Sequence, residues 1–310
     1  MINQLIGYSS KLTLAGIVGA ACMFSPPVFA EVLRGDLDIK NLTIGIGDSK
    51  INVVVYKNTS KPSGLTFLSL HNNEQTFNPI VIASVIEKGG SFVALSPPLD
   101  KGGNLCRFVP FSVGGESYYF DPNRIWDDNR IKVGLSANCI SNELGSIPSS
   151  PAVLSKVNSA VVGFRNDLIR VLGINNQDPN LYLVVVHNNR FLAFDSEKLI
   201  PTACAKRYTS KSQASDQASR GDFFFVTDDR TFDFYSSKDY NVVKQLPSTL
   251  STNTCLDGSL SIYAQSKGLP FTTVEVNYSD DGDSDRSALK AQKKSASMLK
   301  TVYNAYNSLY

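Results

Sequence analysis

Short apolar, β-branched runs recur along the chain at residues 51–56, 65–70, 91–95, 117–120, 181–186, 191–194, 223–227 and 271–276. Runs of this length and composition read as strands. Between them apolar positions return at helical spacing over residues 79–88, 151–172, 258–267 and 287–306. Ser150 and Pro151 open the second of these as N-cap and first helical residue, the place where a missing N–H costs nothing. Strands that alternate with helices predict an α/β fold with helices on both faces of a sheet. The segment 209–220, rich in Ser, Gln and Lys, reads as a long exposed loop on the substrate side.

Residues 1–30 break this pattern. Lys11 is their only charge, a 13-residue apolar run follows at 12–24, and Val28-Phe29-Ala30 forms a small-residue cleavage pattern before Glu31. These features predict a secretory signal peptide. The run is short of the ~20 residues a bilayer span needs, which disfavours the rival reading of an uncleaved anchor. Gly19-Ala20-Ala21-Cys22 has glycine where a lipoprotein box has a branched aliphatic, which argues against lipidation. Residues 31–310 are then the mature domain, with no membrane span after cleavage. They are expected to be exported, to the periplasm in a Gram-negative host and otherwise secreted.

Composition narrows the partners. The 310 residues carry 30 Lys plus Arg against 28 Asp plus Glu. Without Lys11 the net charge is +1, and no basic stripe offers a surface to nucleic acid. Cys22 leaves with the signal, so Cys106, Cys139, Cys204 and Cys255 remain. An even number in an exported chain predicts two disulfides. Three pairings are open; proximity along the chain favours Cys106–Cys139 and Cys204–Cys255. A four-cysteine zinc site lacks the close C-x2-4-C spacing.

The chain has only two histidines, His71 and His187, and they share a context. Each directly follows a buried strand and precedes two asparagines. Glu74 lies three residues after His71. In open α/β sheets ligands bind beyond the carboxyl ends of strands. Two imidazoles and a carboxylate there are good zinc donors, and three protein ligands with an open position is the catalytic arrangement. The strand at 271–276 carries one carboxylate, Glu275, placed to serve as a base toward the water zinc activates. Asn123-Arg124 follow another strand and suit a substrate carboxylate, which a guanidinium binds through two parallel hydrogen bonds.

The ordered set His71-x-x-Glu74, Asn123-Arg124, His187 and Glu275 resembles the zinc carboxypeptidase superfamily. That superfamily includes the aspartoacylase and succinylglutamate desuccinylase branch, whose Asp-Leu-Asn-Arg signature is similar to Asp121-Pro122-Asn123-Arg124. The spacing fits: 113 residues separate Glu74 from His187, and 88 separate His187 from Glu275. The resemblance spans about residues 60–280. It implies a single three-layer α/β/α domain around a mixed, mostly parallel sheet. It implies one Zn2+ per chain on His71, Glu74 and His187, with Glu275 as catalytic base. Asn123 and Arg124 would hold the substrate carboxylate. An arginine would steady the oxyanion, for which Arg107 is the first candidate and Arg130 the second. The family often has glycine where this chain has Asn72-Asn73 and proline where it has Gln75, differences that bear on substrate fit.

Each residue also has a plainer reading. A lone histidine at a strand end is more often a satisfied polar residue than a ligand. Thr273, Glu275 and Asn277 alternate with Val274 and Val276, the pattern of a strand with a solvent face. Arg124 has Asp121, Asp127 and Asp128 nearby for a structural ion pair, and Trp126 reads as pocket floor or core. The acidic run at 280–285 has Arg286 where a calcium loop needs glycine, so it reads as a lead-in to a helix. Lys290, Lys293, Lys294 and Lys300 read as that helix's solvated face. Asn41, Asn58 and Asn277 lie in glycosylation sequons that matter only in a glycosylating pathway. Taken jointly, the site residues predict an exported zinc amide hydrolase, carboxypeptidase-like, acting on wall-derived or other short peptides. The alternatives are an N-acyl amino acid deacylase and a non-catalytic peptide- or carboxylate-binding protein.

Overall fold

The structure, a computed structural model, describes residues 36–71, 74, 77–99, 105–128, 131–136, 139, 150–176, 178–190, 204–211, 221–247, 257–278 and 284–310. The expected signal peptide, the strand expected at 191–194, most of the 209–220 segment, Arg130 and Cys255 lie outside the described residues.

β1 (Leu37–Ile46) and β2 (Ser49–Asn58) form an antiparallel hairpin. β3 (Leu65–Ser69), α1 (Asn78–Lys88) and β4 (Ser91–Ser96) follow. Next come β5 (Val109–Val113), β6 (Glu116–Phe120) and β7 (Leu135–Ser136). α2 (Pro151–Val171), β8 (Tyr182–Arg190), β9 (Ala205–Tyr208) and β10 (Phe223–Val226) continue the chain. α3 (Asp229–Ser237), β11 (Asn241–Gln245), α4 (Leu260–Ser266), β12 (Phe271–Tyr278) and α5 (Ser284–Leu309) complete it.

Nine strands make one mixed sheet in the order β1-β2-β4-β3-β8-β12-β10-β11-β9. Its centre, β4-β3-β8-β12, is parallel throughout. Strand alternation then sorts side chains into two layers. In β8, Leu183 and Val185 face a core shared with Val157, Val161, Phe164 and Leu168 of α2. Tyr182, Val184 and Val186 face the other core, with Val81 and Val85 of α1, Tyr235 of α3 and Met298 and Val302 of α5. Each fully buried Val or Leu contributes about 1.5–3 kcal/mol, so both faces are covered and the three-layer expectation holds.

The apolar pattern does not mark β1, β5, β7, β9, β11 or α3. β11 is buried along its length yet ends in Lys244 and Gln245. Lys244 pairs with Asp229, and Gln245 bonds Ser261 and Gln265. α3 is short and polar, held by the Asp228 carboxylate accepting from Thr231 N at 2.9 Å. Ser150 does stand at the N-cap of α2 with Pro151 inside it, but its hydroxyl caps no N–H. On α5, Lys294 reaches Asp222 at 3.6 Å, while Lys290, Lys293 and Lys300 are exposed. No helix among the described residues is long and apolar enough to cross a membrane.

β5, β6 and β7 form a second, antiparallel sheet beside the carboxyl end of the main one. It is tied to the β1–β2 turn by Asp48 N donating to Ser112 O at 2.8 Å. Cys106 and Cys139 are bonded, as expected, and Phe108 N donates to Cys139 O at 3.2 Å, so the strand entry carrying Arg107 is pinned. Cys204 is also disulfide-bonded.

Candidate metal centre

β3 is buried over all five residues and ends at Ser69, which delivers His71 to the carboxyl edge of the sheet. Glu74 N then donates to His71 O at 3.2 Å, and this turn folds the carboxylate back beside the imidazole. His187 lies on β8 and Glu275 on β12, adjacent parallel strands whose register sets the two residues directly opposite. Both share the face of Leu183 and Val185, so the alternation at Thr273 and Glu275 turns them to a buried layer and not to solvent. His71, Glu74, His187 and Glu275 are 1%, 6%, 7% and 7% exposed.

Donor atoms of His71, Glu74 and His187 all lie within 4.8 Å of one another, close enough for one ion to draw them together. His187 Nδ1 is 2.5 Å from Glu74 Oε2, and Arg107 Nη1 donates to Glu74 Oε1 at 2.6 Å. His71 Nε2 is 2.9 Å from Asp121 Oδ1. An ionised carboxylate only accepts, so Nε2 carries a proton, and in the neutral imidazole Nδ1 is then the atom left with a lone pair. That Nδ1 is buried, has no hydrogen-bond partner, and faces Glu74 Oε1 at 3.3 Å. In that state two acceptors face each other in a dry site, a pairing that a proton or a metal cation between them relieves. Imidazole nitrogen plus carboxylate oxygen is a donor set zinc accepts, and a carboxylate on the far ring nitrogen is the usual support for a ligating histidine. The residues present therefore fit a zinc ion.

Charge follows the same logic. Burial alone would raise the Glu74 carboxyl, but His71 and His187 hold it well below its usual range. Burial would likewise raise Asp121, and His71 with the two arginines brings it far down. Burial pulls His187 down, Glu74 outweighs it, and the imidazole sits at about 8. Glu275 moves the other way: burial lifts it to about 7, against the pull of His187 and with Glu74 adding to the rise. Its Oε2 is buried with no hydrogen-bond partner, a carboxyl poised to hold or release a proton.

Arg107, on the entry to β5, thus joins the cluster through Glu74 and remains a quarter exposed. Asn123 and Arg124 lie on the turn after β6, about which Asp121 is the hub: its Oδ1 also accepts from Asn123 N at 2.8 Å. Gly134 lets this turn close, since a Cβ there would lie 2.8 Å from Arg124 O. Trp126 belongs to the core, its Nε1 donating to Pro122 O at 3.0 Å. Arg124 pairs with Asp257 at 2.5 Å and approaches Asp121 only to 3.8 Å, while Asp128 is taken by Arg165. Sequence reasoning missed two residues. Asp121 stood inside the quoted Asp-Pro-Asn-Arg run and was weighed only as a partner for Arg124. Asp257 carried no local signal.

No family model and no curated protein matches this chain. Solved structures do superpose on it. A metallo-carboxypeptidase from Burkholderia cenocepacia aligns at 13% identity and a TM-score of 0.40, over 89% of this chain and 67% of its own. An N-formylglutamate amidohydrolase from Ralstonia eutropha JMP134 aligns at 15% and 0.41, over 82% and 96%. Bovine thrombin-activatable fibrinolysis inhibitor, solved with a tick carboxypeptidase inhibitor, aligns at 17% and 0.40, over 89% and 94%. Superpositions this loose transfer no chemistry to the present chain.

Proposed function

We propose that this chain is an exported zinc-dependent amide hydrolase that cleaves beside a free carboxylate, on short peptides such as those released from a cell wall. The observation that carries the reading is His71 Nδ1, buried and unpaired opposite Glu74, with His187 completing the donor set. Zinc, when bound, supplies Lewis acidity toward the scissile carbonyl and makes water a nucleophile near neutral pH.

The chain's own residues do the rest. Glu275 stands opposite His187 with one oxygen unpaired, and a cation on the donor set would favour its ionised, proton-accepting form. It accepts a proton from the attacking water and returns it to the leaving nitrogen. Arg107 spends one N–H on Glu74 and turns others toward the developing oxyanion. Asn123, whose side-chain amide has no partner among the described residues, and Arg124 receive the substrate carboxylate. Holding that end in place removes part of the entropic barrier.

The test is a matched pair of N-acyl dipeptides, one ending in a carboxylate and one in a carboxamide. Hydrolysis should favour the carboxylate, stop on chelation, and stop in Glu275→Gln while zinc remains bound. Equal rates on both substrates, or turnover that survives chelation, would overturn the reading. Faster turnover of an acyl-aspartate than of any dipeptide would reassign the chain as a deacylase.

A further inference from the structure

The three candidate donors are nearly sealed from solvent. His187 shares its strand face with Leu183 and Val185, which are at most 1% exposed, so that side is apolar core. Behind His71 Nε2 stands Asp121, whose side chain is 4% exposed. A hydrated dication cannot cross either wall without shedding its water into apolar or already paired surroundings.

Arg107 closes the remaining side differently. Its Nη1 donates to Glu74 Oε1 at 2.6 Å, yet its side chain is 25% exposed against 7% for that of Glu74. Among the described residues no other group both hydrogen-bonds a donor side chain and reaches solvent to this extent. The guanidinium covers a carboxylate oxygen, and its charge repels an incoming cation. The backbone that carries it is not free to swing away. Cys106 is bonded to Cys139, and Phe108 N donates to Cys139 O at 3.2 Å. Movement is left to the arginine side chain, which has many rotamers.

We propose that Arg107 is the gate on metal exchange. Its pair with Glu74 opens by side-chain rotation to admit or release the ion, and closes to retain it. This rests on the reading of His71, Glu74 and His187 as zinc donors. It is separate from the role of Arg107 toward substrate. A gate slows entry and exit alike, so its loss changes rates at nearly constant affinity. A residue that only orients Glu74 acts otherwise: its loss speeds release and weakens binding. A residue that only repels acts in a third way: its loss speeds loading and slows release.

Release is timed by transfer of zinc to an excess of chromophoric chelator. Loading is timed by stopped-flow mixing of zinc with the stripped, oxidised protein. In Arg107→Gln both rates should rise about 10–100-fold, the factor for taking one charge-assisted hydrogen bond out of the barrier, while their ratio moves less than about threefold. Arg107→Lys keeps the charge without the fork and should exchange at intermediate rates. Release from the wild type, a measurement needing no variant, should quicken with added salt, which screens a pair open to solvent. Faster release with unchanged loading makes Arg107 a support for Glu74 and overturns the gate. Faster loading with slower release makes it a repelling charge and overturns it too. So do rates equal in wild type and Arg107→Gln, or a wild-type release indifferent to salt. A wild type that takes up no stoichiometric zinc overturns the donor reading itself, a failure seen before any rates are compared.

Discussion

Replacing Glu275 by Gln should make the metal-free protein more stable at pH 8 and leave it nearly unchanged at pH 4. Burial lifts the Glu275 carboxyl from 4.5 to about 7 in the folded chain, while the unfolded chain keeps the ordinary value. Between those two values the folded state holds a proton that the unfolded state has released. Stability therefore falls as pH rises through this window. At about 1.4 kcal/mol per pH unit, the wild type should lose about 3 kcal/mol there. Gln has nothing to ionise and escapes the loss. His187, held at about 8 against 6.5 unfolded, adds a second descent at higher pH, which the variant retains in large part because Glu74 is its main support. The assay is urea unfolding of the oxidised protein with chelator present, at half-unit steps from pH 4 to 9. The difference curve should rise between 4.5 and 7 and then level. Parallel curves for the two proteins would refute a buried, proton-holding Glu275. With zinc present the cation favours the carboxylate, and the difference should shrink.

Further outcomes follow from the same geometry. Asp121→Asn removes the charge behind His71 Nε2 and should weaken zinc about 10–100-fold, read by competition with a chromophoric chelator. Removing the Cys106–Cys139 bond as a double alanine variant opens a loop with a sequence separation of 33. It should cost about 3–4 kcal/mol in unfolding experiments, and the turnover that depends on Arg107 should fall more than zinc content does.

The layers of the fold were legible because the central strands are mostly apolar on both faces. At 65–70 and 181–186 the chain has no polar face to lose, and that pattern belongs to buried parallel strands. β1 was hidden because it lies at the sheet edge, with Ile39 43% exposed and polar residues interspersed. β11 was hidden because its Lys244 and Gln245 are satisfied by partners distant in sequence. The donor set was legible for a different reason: with only two histidines in the chain, their shared place after an apolar run stood out, although β8 continues through His187 to Arg190. What no local pattern encodes is which carboxylate answers which cation. Asp121 supports His71 from 50 residues away, and Asp257 meets Arg124 from 133 residues away. Such pairings are set by the packing of the second sheet and of the α4 entry against the main one.

The most direct measurement is the metal content of the purified mature protein after exhaustive dialysis, beside His187→Ala and Glu74→Ala prepared in parallel. One tightly held zinc per wild-type chain and none in either variant, with native circular dichroism in all three, is the predicted result. A wild type that retains no stoichiometric zinc, or a His187→Ala protein that keeps it, contradicts the account.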